Sequence, residues 1–307
     1  MRATRRSIAL LSVTLAISAC SGTASTQAPS GSPGSSGQTS GASVPPSADP
    51  AVGAIDHKTG AADVLLRIEQ GGGFVAMEFR ATQAPAFTLY GNGVIVFQQT
   101  VTTFPAPDAN GVIRGVPWRI GSLDETQVQD LLEFALGSGG LGAARDTYMA
   151  NGIADAPDTI FTIHAGGVDK TVVVNALAEE VQPGPDGLAR SAFSKLAKRL
   201  QNFDQGGSIP SDVYRADRYR GVLIEREVQP GIVTTAWPWA GLQPTDFKEP
   251  ANDGTSPAFP YRSLTTDEIA ELKLADIEGG VQGITLKAPN GKLYSFILRP
   301  LLIDETQ

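Results

Sequence analysis

The sequence predicts an α+β fold, built from antiparallel β-hairpins and sheets with a few helices packed on one side. Three observations point to it. Short apolar runs separated by glycine-rich turns recur through the chain, which is the pattern of hairpins. Two stretches instead repeat their apolar residues every 3.6 positions and read as amphipathic helices. A strand–helix–hairpin plan appears twice, and antiparallel hairpins with helices set to one side give an α+β architecture.

Taken in order, Val64-Leu65-Leu66-Arg67-Ile68 opens the folded part as a strand. Phe74-Val75-Ala76-Met77-Glu78-Phe79 alternates like another strand beyond Gly71-Gly72-Gly73. Phe87-Thr88-Leu89-Tyr90 and Val94-Ile95-Val96-Phe97 flank Gly91-Asn92-Gly93, a hairpin signal because Asn and Gly tolerate positive φ. A helix is expected over 123–136, with Ser122 and Glu125 at capping-box spacing and Gly137 as its stop. Its buried face is Val128, Leu131, Leu132, Ala135 and Leu136. Thr159 to His164 and Lys170 to Val174 form a second hairpin around Gly166-Gly167.

A helix over 188–203 buries Ala189, Ala192, Phe193, Leu196 and Leu200 and turns Arg190, Lys195, Lys198 and Arg199 to solvent. Toward the end, Ser263 to Glu268 opens a short helix much as Ser122 to Glu125 does. Ile284 to Lys287 and Leu293 to Leu298 then echo the 159–174 hairpin. Two α+β halves follow, 55–206 and 207–307, read as a degenerate internal duplication.

Ahead of these halves stands Cys20, the only cysteine in 307 residues. Arg2, Arg5 and Arg6, the apolar stretch Ile8 to Ile17 and the small pair Ser18-Ala19 precede it. A basic start, an apolar core of about ten residues and a small-residue cleavage site make a secretory signal. A helix crossing a bilayer needs about twenty apolar residues. Ile17-Ser18-Ala19-Cys20 resembles the lipobox of bacterial lipoproteins. The resemblance implies removal of residues 1–19, lipid on Cys20, and a protein held by that lipid to the outer, extracytoplasmic face of the cell membrane. Arg5-Arg6 also suits a twin-arginine signal, so either export route is open. The segments from Phe87 to Phe97 and from Ala154 to Val174 are similar to secreted lipoprotein domains of high-GC bacteria, a likeness that brings no assigned chemistry.

Residues 20–54 are the lipidated cysteine and a tether of Ser, Gly, Thr, Pro, Ala and Gln carrying a single charge, Asp49. Such a segment has too little apolar surface to offset its chain entropy and is expected to be disordered, with a reach of ~30 Å. Removing the signal leaves 21 basic against 32 acidic residues, a net charge of −11. So acidic a chain argues against nucleic acid as a partner, since that affinity is built on Lys and Arg against phosphate.

Few residues carry recognisable chemistry. Gly71-Gly72-Gly73-Phe74-Val75-Ala76 satisfies a dinucleotide fingerprint in form, but the motif works only where a helix begins at the glycines, so no nucleotide cofactor is expected. His57 and His164 are the only histidines and Cys20 is taken by the anchor, which leaves no metal site and no cofactor. Asp155 and Asp158 are the best carboxylate pair for hydrolysis, with turn and cap formation as their other role. Trp237-Pro238-Trp239, in a Pro- and Gly-rich region, would either stack on a sugar or fill a partner's pocket, or else plug the core beneath a long loop. The expectation is a membrane-anchored binding or interaction module of the envelope without catalysis, with an envelope protein or glycan as partner. The alternative is a carboxylate-dependent hydrolase acting on polysaccharide.

Overall fold

The computed structural model describes residues 53–305, apart from 75, 100, 102, 104, 151–152, 154, 178–183, 202, 205–208 and 249–258. The signal, Cys20 and the tether up to residue 52 lie outside the described residues. In chain order the elements begin with β1 (Val64–Gly72), α1 (Met77–Ala81), β2 (Phe87–Tyr90), β3 (Val94–Gln98), β4 (Ile113–Arg114), β5 (Trp118–Ser122) and α2 (Glu125–Leu136). There follow β6 (Thr147–Tyr148), β7 (Pro157–Ala165), β8 (Val168–Asn175) and α3 (Gly187–Gln201). The remainder holds β9 (Ser211–Val213), β10 (Arg218–Arg226), β11 (Thr235–Ala236), β12 (Tyr261–Thr265), α4 (Thr266–Ala270), β13 (Val281–Lys287) and β14 (Leu293–Pro300). A 3-10 turn over Ile303–Glu305 closes the chain's described part.

The fold is α+β, as the sequence predicts. An eight-stranded sheet runs β6-β8-β7-β1-β2-β3-β5-β9, and a second sheet runs β11-β13-β14-β10-β12 with β4 added along β13. Both are antiparallel except for the short edge pairs β6/β8 and β11/β13. The hairpins form where the glycine turns require them, since Gly93, Gly166 and Gly167 all take positive φ.

One face of the larger sheet carries the helices. β7 buries Phe161 and Ile163 and β8 buries Val172 and Val174, on alternating residues, as a half-buried strand must. Against them and Ile68, Phe87 and Leu89 pack Val128, Leu131 and Leu132 of α2 and Phe193, Leu196 and Leu200 of α3. Each large apolar side chain removed from water contributes about 1.5–3 kcal/mol, so packing more than propensity holds these helices. The basic face of α3 is engaged by the fold. Arg190 donates to the carbonyls of Asn175 and Ala176, and the Arg199 guanidinium lies 4.3 Å from the Phe134 ring centre.

Three local expectations are corrected. The 74–79 stretch is not a strand: Phe74 is 93 % exposed on a turn, and Met77–Ala81 is helical. Its hydrophobic alternation had no sheet neighbour to satisfy, because β1 ends at Gly72 against Pro157. The cap of α2 is Asp124 with Gln127, not Ser122 with Glu125, and that of α4 is Thr265 with Glu268. In each case Ser122 or Ser263 is still paired in a strand, so the helix starts later.

The likeness between the halves is local. In the larger sheet the hairpin joins through its first strand, since β7 pairs with β1 while β8 lies outside. In the smaller sheet the second strand, β14, pairs with β10 and β13 lies outside. The described residues from 53 to 305 fall within one compact unit. β9, from beyond the boundary expected at 206/207, completes the larger sheet, and β4, from before it, joins the smaller one. A second core joins Tyr90, Val96 and Trp118 of the larger sheet with Tyr219, Leu264, Phe296 and Leu298 of the smaller.

Candidate functional site

The sequence-predicted residues are not brought together. Trp239 is 2 % exposed, and its indole N–H donates to the Glu268 carbonyl at 2.7 Å. Its ring sits 5.3 Å from that of Phe296, so it plugs the core over β14. Trp237 is half-buried, edge-on to Trp239 at 5.1 Å, with its own N–H on the Leu242 carbonyl. Of the two roles open to this pair, the burial of Trp239 and the two indole hydrogen bonds fit the core plug. Asp158 accepts from Asn175 across β7 and β8, and Asp155 holds a positive φ while its carbonyl accepts from Phe74. His57 contacts Glu125 at 3.2 Å, and His164 contacts Asp169 at 2.8 Å across a hairpin. No group of three or more His, Cys, Asp or Glu that would hold a metal occurs among the described residues. The glycine triplet continues β1 and then turns, with Gly72 and Gly73 at positive φ over Pro157.

A cavity lies elsewhere. Antiparallel pairing puts the ends of β1 and β3 beside the beginnings of β2 and β5, since Ile68 pairs with Phe87, Phe87 with Phe97 and Gln98 with Trp118. At this end of the sheet opens a cleft of about 340 Å³. The connection before β5 and the turn before β13 form one wall. Gly115 donates its N–H to the Gly280 carbonyl at 2.9 Å, and a Cβ on Gly115 or Gly279 would strike the other's backbone carbonyl. Only glycines allow this approach. Trp118 closes the floor, its indole donating to the Pro85 carbonyl at 3.2 Å.

The lining is chemically distinctive. Among the described residues, six glutamines face the cleft, Gln70, Gln83, Gln98, Gln99, Gln201 and Gln282, and no Asp, Glu, Lys, Arg or His lines it. The side-chain amides of Gln70, Gln83, Gln98, Gln99 and Gln282 have no hydrogen-bond partner among the described residues. Each amide offers one carbonyl acceptor and two N–H donors. A second cavity of about 360 Å³ shares Phe79 and Gln282 with the first and is bordered by Ile113, Arg226, Val233, Thr285 and Ser295. Phe79, on α1, is 43 % exposed between the two. Neither Asp155 nor Asp158 lines either cavity.

Charge is concentrated between the sheets instead. Asp304 accepts from Arg67 at 2.7 Å and from the Tyr90 hydroxyl at 2.8 Å, while Glu305 accepts both terminal nitrogens of Arg299. Burial alone would raise the Glu305 carboxyl, but the Arg299 hydrogen bonds and charge outweigh it and hold the group down at about 2. Burial pushes Glu69 the other way, above the usual carboxylate range, against the opposing pull of Arg67. Burial and the hydrogen bond to Asp304 push the Tyr90 phenol far up. Arg67, Tyr90 and Asp304, with Arg299 and Glu305, form an intersheet clasp.

Sequence reasoning missed the glutamines because they have no spacing signature. Gln70 lies near the end of β1 and Gln98 ends β3, with Gln99 next in the chain, and only the register of the sheet collects them. No family model, curated protein or solved structure matches the chain.

Proposed function

We propose that this protein is a lipid-anchored extracytoplasmic module that holds an uncharged ligand in the strand-end cleft and does no chemistry on it. The observation that carries the binding part is the set of five glutamine amides, of Gln70, Gln83, Gln98, Gln99 and Gln282, without a partner among the described residues, in a cavity whose described lining holds no charged side chain. A charged ligand entering such a site would lose its water without gaining a counter-charge, which is unfavourable. A purely apolar ligand would leave the amides desolvated and unpaired, at about 1–3 kcal/mol each. A ligand with its own neutral donors and acceptors avoids both costs. The lipobox-like Ile17-Ser18-Ala19-Cys20 supports the anchoring part.

Two measurements test these parts separately. Membrane fractionation of Cys20→Ser is expected to move the protein into the soluble extracytoplasmic fraction; a variant still in washed membranes overturns the anchor. Full chain in detergent, probed by NMR with a panel of small neutral and charged compounds, is expected to show neutral ones at the resonances of Gln98 and Gln282. Preference for charged compounds there overturns the uncharged-ligand reading.

A further inference from the structure

We infer that the ligand is an uncharged oligosaccharide, lying from the glutamine cleft across Phe79 into the second cavity. This rests on reading the cleft as a binding site for an uncharged ligand. Four observations select the class.

The first is the balance of hydrogen-bonding groups. Side-chain amides present donors and acceptors together, and a sugar hydroxyl is itself both, so several unpartnered glutamines match a run of hydroxyls whatever their orientation. The second is the exposed ring. Phe79 shows 43 % of its surface at the junction of the cavities, where a flat apolar side chain suits the apolar face of a sugar ring. The aromatic floor, Trp118, is buried and committed to Pro85, so Phe79 is the platform.

The third is extent. Cavities of about 340 and 360 Å³ each lie near the lower end of the ligand-pocket range of ~300–1,000 Å³, and they share Phe79 and Gln282 as a common wall. Together they fit an extended ligand of several units, with the hydroxyls of Thr285 and Ser295 and the guanidinium of Arg226, a donor to neutral hydroxyls as well, continuing the polar lining beyond Phe79. The fourth is the placement on strand ends. The first cavity gathers the termini of β1, β2, β3 and β5, so those strands meet it with their ends and not along an edge on which a peptide would form a ladder. That weighs against an extended peptide, the other uncharged polymer with alternating donors and acceptors.

The test is an array of neutral and acidic oligosaccharides of one to eight units, probed with fluorescently labelled full chain in detergent. Retention on neutral members of four or more units is expected, weaker on one- and two-unit members. Retention should fall at least tenfold in Phe79→Ala and in the double variant Gln98→Ala/Gln282→Ala. Unchanged melting temperatures would show these variants to be folded; Gln98→Glu, which keeps the shape and adds a charge, repeats the test should the alanine pair unfold. No retention on neutral members, or retention that these variants leave intact, overturns the proposal. A blank array together with neutral compounds shifting the Gln98 and Gln282 resonances overturns the sugar while leaving the uncharged-ligand reading standing.

Discussion

Asp304 and Glu305 are adjacent in the chain but answer to different sheets. Asp304 accepts from Arg67 on β1 and Tyr90 on β2, and Glu305 accepts from Arg299 on β14 and Arg220 on β10. One 3-10 turn thus clamps the larger sheet to the smaller. Arg299 is 3 % exposed, and removing one member of a buried pair leaves the other charge uncompensated.

Glu305→Gln is therefore expected to destabilise the fold by about 3–5 kcal/mol, measured by urea unfolding. Glu225→Gln is the control, because its pair with Lys292 is exposed on both sides and screened by solvent, so little stability is lost with it. Equal losses from the two variants would remove the clamp from the account.

The same carboxylate sets an acid limit. Its folded-state value of about 2 lies below its ordinary 4.5, so the stability it contributes is present above pH 4.5 and is lost as the pH falls toward 2. Glu69 is raised, so it contributes the opposite sign: stability grows as the pH falls through its raised value to 4.5. Urea midpoints across a pH series should fall below pH 4.5 in the native chain, and this fall should flatten in Glu305→Gln. Glu69→Gln should remove only the rise above 4.5. An identical acid slope in native chain and Glu305→Gln would contradict the assignment.

The hairpins were legible in the sequence because their information is local. Asn92-Gly93 and Gly166-Gly167 dictate turns, and the flanking residues alternate. The helices of the larger sheet were legible in the same way, through Val128-Leu131-Leu132 and Phe193-Leu196-Leu200. β10 was not, since Arg218-Tyr219-Arg220-Gly221 reads as polar until β12 and β14 flank it. The cleft was not legible either. Gln70, Gln98 and Gln282 meet only through strand register and through the Gly115–Gly280 contact between distant segments, and no short-range pattern encodes that. Tryptophans in a proline-rich stretch looked like a ligand platform because sequence does not show which loop folds back over a sheet.

Trp239→Ala should consequently act on stability. Truncating a large buried aromatic costs about 3–5 kcal/mol, and this one also leaves the Glu268 carbonyl without its partner. Trp237→Ala, half-buried, should cost less. Thermal unfolding distinguishes the outcomes: a Trp239→Ala midpoint within a degree of native would return that residue to the surface.

Gly280 and Gly291 provide a matched pair for the cleft wall. Their φ angles are nearly the same, 84° and 83°, so alanine meets the same left-handed strain at both, about 1–2 kcal/mol. Their surroundings differ. A Cβ at Gly291 meets nothing within 4 Å, whereas at Gly280 it runs into the Leu298 carbonyl and the Arg299 backbone of β14. Neither neighbour is a flexible side-chain end, so β14 or the 279–280 turn must shift. Gly280→Ala is expected to lose at least twice the stability lost by Gly291→Ala in urea unfolding. Its carbonyl also anchors Gly115, so NMR shifts at Gln282 and Trp118 should follow in Gly280→Ala and be absent in Gly291→Ala. Equal losses in both variants would mean that the turn before β13 gives way easily and is no rigid wall for the cleft.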